Sequence, residues 1–334
     1  MNPVSRHRLS RRQLLTGMGG AIALGAGGKQ IADWNEWSRR ADVVIADAPG
    51  YDVDLESVVK RGLAELGLGP AWVKGKRVLL KPNLVETSLG RPQINTHPLV
   101  VRAVALAFRS WGAAEVRVGE GPGHCRDAML VVDESGLYPI LKEAKLPFVD
   151  LNQDEIDSKP NRLRETSLRR LALPRTLVDA DLVVSLPKMK THHWVGVTLS
   201  MKNLFGAMPG VVYGWPKNVL HFAGIGPSIL DIVAAVRPSL AIVDGIVAME
   251  GDGPLMGPAR TMGVLVMGTN LPAVDATCTR LMGFNPWRVG YLVAASGRLG
   301  PIAESHIHQR GETIASRAQE FQLLDHPSLA VLKT

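Results

Sequence analysis

Seven short apolar runs, separated by stretches of helical periodicity, limit how this chain can fold more than any other feature. The runs lie at residues 41–46, 77–80, 115–118, 148–151, 182–186, 240–243 and 263–267, each bounded by turn-forming residues. They read as strands buried on both faces, which a parallel sheet requires because helices cover both of its sides. Helical periodicity occupies residues 55–66, 99–111, 137–144, 229–236 and 271–282. Strand and helix in alternation imply right-handed crossovers. The expected class is therefore α/β, with a mainly parallel open sheet and helices on both faces. Residues 191–227 break the pattern, with glycines and aromatics but no clean period. Long irregular stretches within compact domains are usually functional, and this one is expected to be a functional loop with one embedded helix. The chain has 334 residues, 46% of them apolar, which suffices for one large domain at 41–334.

The first 32 residues have a different character. Arg6, Arg8, Arg11 and Arg12 precede the first acidic residue, Asp33, and a glycine-rich apolar stretch fills 14–28. About fifteen residues are too few to span a bilayer as a helix. A charged start followed by a short apolar core is instead the layout of a removable signal. Ser10-Arg11-Arg12-Gln13-Leu14-Leu15 resembles the twin-arginine motif, and the glycines between 17 and 25 weigh against a stable amphipathic helix. Residues 1–32 are expected to be a twin-arginine signal and 33–40 a linker. The protein would then be carried, already folded, by the twin-arginine translocation machinery to the periplasm or another extracytoplasmic site. No further run is long enough for a transmembrane segment.

The signal also accounts for most of the charge. The whole chain carries net +7, but five of its 38 Lys and Arg precede Asp33, and the remainder carries only about +2. A nearly neutral mature protein lacks the polyanion footprint of a nucleic-acid binder. Cys125 and Cys278 are the only two cysteines. Two thiols cannot make a disulfide scaffold, a four-cysteine zinc site or a cysteine-ligated iron–sulfur cluster from this chain alone.

Ligands of open α/β sheets sit beyond the carboxyl ends of the strands, so the residues following each run are the candidates. Lys81 and Asn83 follow the second run, Gly119 and Gly121 the third, and Lys188, Lys190, His192 and His193 the fifth. Asp244, Glu250 and Asp252 follow the sixth, while Lys202 and Asn203 open the next helical segment. Several lysines and amides around one rim suit a carboxylate or phosphate. Lys188 and Lys190 share one face of an extended chain. The GxGxG run at 119–123 is not the six-residue dinucleotide fingerprint, and a tight strand-to-loop turn explains it equally well. Adjacent histidines in a strand point to opposite faces, so only His192 is taken as a proton-transfer group. A carboxylate closing a buried strand, as Asp244 does, needs a lysine, a backbone nest or a metal as partner. Asp275 lies in the first turn of a helix, where the dipole already favours an anion. His221 has no assignment.

These segments resemble the domain-of-unknown-function family 362. The resemblance rests on Lys81-Pro82-Asn83, Thr96-His97-Pro98, Gly119-Glu120-Gly121-Pro122 and Pro187-Lys188-Met189-Lys190-Thr191-His192. It continues through Lys202-Asn203-Leu204-Phe205-Gly206, Val243-Asp244-Gly245, Glu250-Gly251-Asp252-Gly253-Pro254 and Pro272-Ala273-Val274-Asp275. The match runs over most of 76–283 in the family's order. Members of that family often carry a ferredoxin-like iron–sulfur module, from which this two-cysteine chain departs, so any cluster would come from a partner.

The expectation for function is an exported enzyme that binds an anionic small molecule or cofactor. Lys81, Asn83, Gly119, Gly121, Lys188, Lys190, Lys202 and Asn203 would bind the anion, and His192 and Asp244 would be catalytic. Asp244, Glu250, Asp252 and Asp275 would hold a divalent metal, with hard oxygen ligands favouring Mg2+, Mn2+ or Ca2+. The rival expectation is a non-catalytic accessory or cofactor-binding protein of an exported redox or metalloenzyme system.

Overall fold

The computed structural model describes residues 40–333. The expected signal at 1–32 and all of the linker but Arg40 lie outside the described residues. All seven expected strands form. In chain order the strands are β1 (Ala41–Asp47), β2 (Arg77–Pro82), β3 (Glu115–Glu120), β4 (Phe148–Asp150), β5 (Ile156–Pro160) and β6 (Arg170–Pro174). They continue as β7 (Leu182–Leu186), β8 (Lys188–His192), β9 (Gly196–Thr198), β10 (Leu240–Met249), β11 (Ala259–Gly268) and β12 (Ile307–Gly311). Ten of them make one sheet in the order β12-β1-β11-β10-β7-β2-β3-β4, with β8 pairing β10 and β9, while β5 and β6 form a separate ribbon.

The run from β10 to β4 is parallel, and β11 lies antiparallel to both β10 and β1. The reason is local: residues 250–258 contain no helix and are too short to carry the chain back over the sheet, so β11 returns as a hairpin partner. The mainly parallel α/β class stands, with β11 and the short β9, which pairs antiparallel with β8, reversed.

Residues 191–227 differ from the expected loop with a single helix. They contain β9 and the short helical segments Ser200–Asn203, Leu204–Ala207, Gly210–Tyr213 and Asn218–Phe222. Pro209 follows the second of these, Gly214 the third and Gly224 the fourth, and interruptions so closely spaced remove any helical period from a longer window.

Helices Leu55–Glu65, Pro98–Ser110 and Leu137–Glu143 cover one face of the sheet, and helices Ile225–Val236 and Leu271–Leu281 the other. Successive strand residues alternate between the two cores: Leu80 and Ile242 join the first, Leu79 and Val243 the second. This parity carries beyond the cores to the strand ends. Lys81 follows Leu79 to the second face, whereas Asp244 follows Ile242 to the first. Among the described residues no helix is long and apolar enough to cross a membrane.

Candidate functional site

A cavity of about 720 Å3 opens on the second face, at the carboxyl ends of β2 and β3 and under the segments that follow β8. Parallel pairing sets Leu80 beside Val118, so Lys81-Pro82 and Gly119-Glu120 emerge together at the ends of the two strands. Lys81 and Glu120 meet there as an ion pair of 2.6 Å, each side chain about 1% exposed. The Lys81 ammonium also donates to Asn203 Oδ1 at 2.9 Å and to the Pro82 carbonyl at 2.9 Å. Glu120 accepts from the backbone N–H groups of Leu84 and Gly121, and Asn203 Nδ2 donates to the Lys81 carbonyl and Ser185 Oγ. A buried pair survives desolvation only when its remaining hydrogen-bonding capacity is filled, and here it is.

The glycines serve this pair. A Cβ on Gly206 would collide with Glu120 Oε1 and sit 2.7 Å from Lys81 Nζ. One on Gly121 would lie 2.6 Å from Asn152 Oδ1 and 2.9 Å from the Gly206 carbonyl. Gly119 is beneath the cavity, where a Cβ would meet Leu79 at 2.9 Å. It permits strand packing and does not touch the cavity.

Two more amines line the wall. Lys202, half-buried, holds its ammonium 4.0 Å from the centroid of the Phe205 ring, and among the described residues it makes no ion pair. Partial burial, reinforced by the charge of Lys81, lowers its pKa to about 8. Lys217 is buried and donates to Asn152 Oδ1, and burial lowers its pKa to about 8 as well. Its backbone has a φ of +68°, a left-handed conformation that costs a non-glycine residue about 1–2 kcal/mol. Strain of this kind collects at functional sites.

The imidazoles are distinguishable by tautomer. His192 Nδ1 accepts from the Trp194 backbone N–H at 3.1 Å, so its neutral ring carries the proton on Nε2 and can only donate there. His221 Nδ1 lies 3.0 Å from the Lys217 carbonyl, which can only accept. The neutral His221 ring therefore keeps its lone pair on Nε2. Burial lowers both pKa values, that of His192 well below the usual imidazole range, and the positive charge of Lys202 adds to it. His193 also reaches the cavity, with its ring 5.0 Å from that of His192 and its Nδ1 3.5 Å from Asp252. Strand alternation does not separate the two because His193 lies past the end of β8. Asn83 Oδ1 and Thr198 Oγ1 are buried on the wall without a hydrogen-bond partner among the described residues.

Of the expected anion ligands, then, Lys81, Asn83, Gly121, Lys202 and Asn203 come together, with His192 and Asp252. Lys188, Lys190 and Asp244 do not. Met189 points into the second core, so its neighbours Lys188 and Lys190 point away from it. Lys188 pairs with Asp244 at 2.6 Å, both fully buried, and Tyr51 OH and the His97 backbone N–H complete the carboxylate's shell. Lys190 donates to the carbonyls of Ile94 and Pro254. Asp244 is thus a structural partner remote from the cavity, and the catalytic role expected of it is not supported.

The four carboxylates expected to hold a metal are also dispersed. Glu250 accepts from the Gln322 backbone and faces Arg260, Asp252 faces His193, and Asp275 accepts from the backbone N–H groups of Ser200 and Met201. Among the described residues no three His, Cys, Asp or Glu side chains are grouped to hold a metal ion. The sequence places the carboxylates close along the chain, but strand parity and separate loops send each to its own partner.

Glu120, Lys217 and Trp194 are cavity residues that the sequence did not single out, and His221, left without an assignment, joins them there. For Glu120 a signal existed: a carboxylate closing a buried strand needs a cation, as Asp244 does, and the parallel neighbour ends in Lys81.

The fold and cavity define an α/β protein with a basic, imidazole-lined pocket at the carboxyl edge of its sheet. The chain belongs to the family described as "Domain of unknown function (DUF362)", whose profile matches residues 78–280 and so includes the cavity floor and both imidazoles. It is 32% identical over 239 residues to a thylakoid-associated protein of Synechocystis sp., covering 70% of this chain and 71% of that one. Among solved structures it is similar to the lactate racemase apoprotein from Thermoanaerobacterium thermosaccharolyticum, with a TM-score of 0.43 and 15% identity over 72% of this chain and 57% of that one. A protein from Thermotoga maritima gives a TM-score of 0.35 and 15% identity over 67% and 58%. The chain thus spans somewhat over half the length of these two structures.

Proposed function

We propose that the cavity binds an anionic small molecule or cofactor, and that the protein is an enzyme that moves a proton on the bound molecule. One observation carries the reading: Lys202 brings a positive charge to the cavity wall, and no carboxylate among the described residues pairs with it. Glu120 already offsets Lys81, and Asn152, a neutral amide, holds Lys217. A bound anion would supply the missing negative charge, and charge-assisted hydrogen bonds in a partly desolvated pocket are the strong ones.

The proton chemistry falls to the two imidazoles. His221 Nε2 accepts a proton, and His192 Nε2–H donates toward the negative charge that develops, each held in its tautomer by a backbone group. Asn83 and Thr198 supply polar atoms that orient the ligand. The reading places this chemistry outside the cytoplasm, supported by Arg11-Arg12 and the short apolar stretch after them.

Isothermal calorimetry with inorganic phosphate and with citrate tests the binding step. Replacing Lys202 with Met is expected to weaken binding by about tenfold or more, the scale of a charge-assisted hydrogen bond. His221→Gln should leave it within about threefold, since that ring serves chemistry rather than charge. Unchanged affinity in Lys202→Met would refute the reading.

A further inference from the structure

Three separate segments each place a large, exposed apolar side chain on the rim of the same cavity. Trp194, in the turn between β8 and β9, is 66% exposed; Phe222, closing the helix Asn218–Phe222, is 90% exposed; Met256, in the connection from β10 to β11, is 70% exposed. None is needed to complete a core. The Trp194 ring is braced edge-on by His193, with centroids 4.7 Å apart at 83°, and by His221, at 6.0 Å and 74°. Below this rim lie the Phe205 ring and the Lys202 ammonium stacked on it. Polarity is therefore ordered by depth, with amines and unpartnered polar atoms inside and aromatic surface outside.

We propose that the ligand is an aromatic anion, a phosphate or carboxylate borne on a flat ring, with its charged end at Lys202 and its ring covering Trp194 and Phe222. This rests on the anion-binding reading above and specifies the rest of the molecule. A small inorganic anion would leave the rim exposed to water and most of the cavity unfilled. An amphipathic ligand of ordinary cofactor or metabolite size fits a pocket of this volume, because such pockets combine mainly apolar walls with a few convergent polar groups. Rings in place of aliphatic side chains at Trp194, Phe205 and Phe222 favour a flat aromatic partner, for which stacked or edge-on contacts add to the area buried. An anionic membrane lipid shares the charged end but presents an alkyl body.

The test compares inorganic phosphate, phenyl phosphate and n-hexyl phosphate by calorimetry and by quenching of tryptophan fluorescence. Phenyl phosphate is expected to bind about tenfold or more tightly than inorganic phosphate, and more tightly than the hexyl ester, because its ring is withdrawn from water against the rim. Trp194→Ala and Phe222→Ser should each shrink that ratio while leaving inorganic phosphate affinity unchanged. Both side chains are exposed, so the fold is not at stake. Equal affinities for phenyl phosphate and inorganic phosphate would overturn the inference while leaving the anion site standing. So would a stronger hexyl ester, or capture of the protein by phosphatidylglycerol vesicles that phenyl phosphate does not relieve. If no phosphate binds at all, the inference and the anion reading fall together.

Discussion

Lys81 and Lys202 differ in a way that a substitution can expose. Lys81 belongs to a buried pair whose Glu120 partner is fully hydrogen-bonded, so removing one member strands the other's charge. Glu120→Ala should cost about 3–5 kcal/mol, read from the denaturant midpoint, whereas the double variant Lys81→Met/Glu120→Leu should recover most of that loss. A loss below about 1 kcal/mol would show that the pair is not what holds the cavity floor. Lys202 has no such partner, and its removal should weaken binding with little effect on folding. In the sequence the five lysines at 81, 188, 190, 202 and 217 look alike. For the three on strands, 81, 188 and 190, facing the cavity depends on whether each follows the Leu79 or the Leu80 side of its sheet, a parity that one register shift would invert, while 202 and 217 lie among the short helical segments after β8. Apolar runs located the strand ends, but runs buried on both faces carry no alternation from which that parity could be read. His221 could not be assigned because its role comes from a hydrogen bond to the carbonyl of Lys217, four residues back, in a helix too short to leave a period.

Short elements around the site depend on caps from distant helices. Asp275, in the helix Leu271–Leu281, is fully buried and holds the backbone of Ser200 and Met201, so it fixes the turn that presents Lys202 and Asn203. Burial pushes its carboxyl up to about 7 despite those hydrogen bonds. The folded pKa lies above the unfolded value of 3.8, so the folded state retains the proton over a range in which the unfolded chain has lost it. Its contribution to stability is largest below about pH 4 and declines as pH rises to about 7. Measured against Asp275→Asn, which cannot titrate, the parent should therefore lose relative stability between those limits, and a flat difference would contradict the assignment. The long helices and all seven apolar strands were legible because periodicity accumulates over many residues. β8, β9 and the helical turns between 200 and 222 were not, since prolines and glycines cut them below the length at which a period registers. The reversed β11 was not legible either, because the apolar runs at 240–243 and 263–267 stand well apart and only the extension of both strands shortens their connection to 250–258.

As a whole the molecule divides its polar groups between two faces of one sheet. Lys188, Asp244 and Tyr51 form a closed network on one face, and the open cavity lies on the other. The family match at 78–280 covers the cavity and the Lys188–Asp244 pair but not Tyr51. Where the protein works is a separate question, answered by residues outside those described. A reporter fused to 1–40 should be exported, and replacing Arg11 and Arg12 with Lys should retain it in the cytoplasm. Export of the doubly substituted fusion at the parent's level would remove the twin-arginine assignment. The central claim, that the cavity amines bind an anion, is tested most directly by the pH dependence of inorganic phosphate affinity between about pH 6.5 and 9.5. Inorganic phosphate gains its second negative charge over the lower part of this range, so a loss of affinity at the upper end reports on the protein. Lys202 and Lys217 release their protons near pH 8, and affinity is predicted to hold up to that point and then fall by up to about tenfold per pH unit for each amine that contacts the anion. In Lys202→Met the fall should be shallower by one proton. An affinity that stays constant through pH 9.5, or one whose decline is the same in Lys202→Met as in the parent, would contradict it.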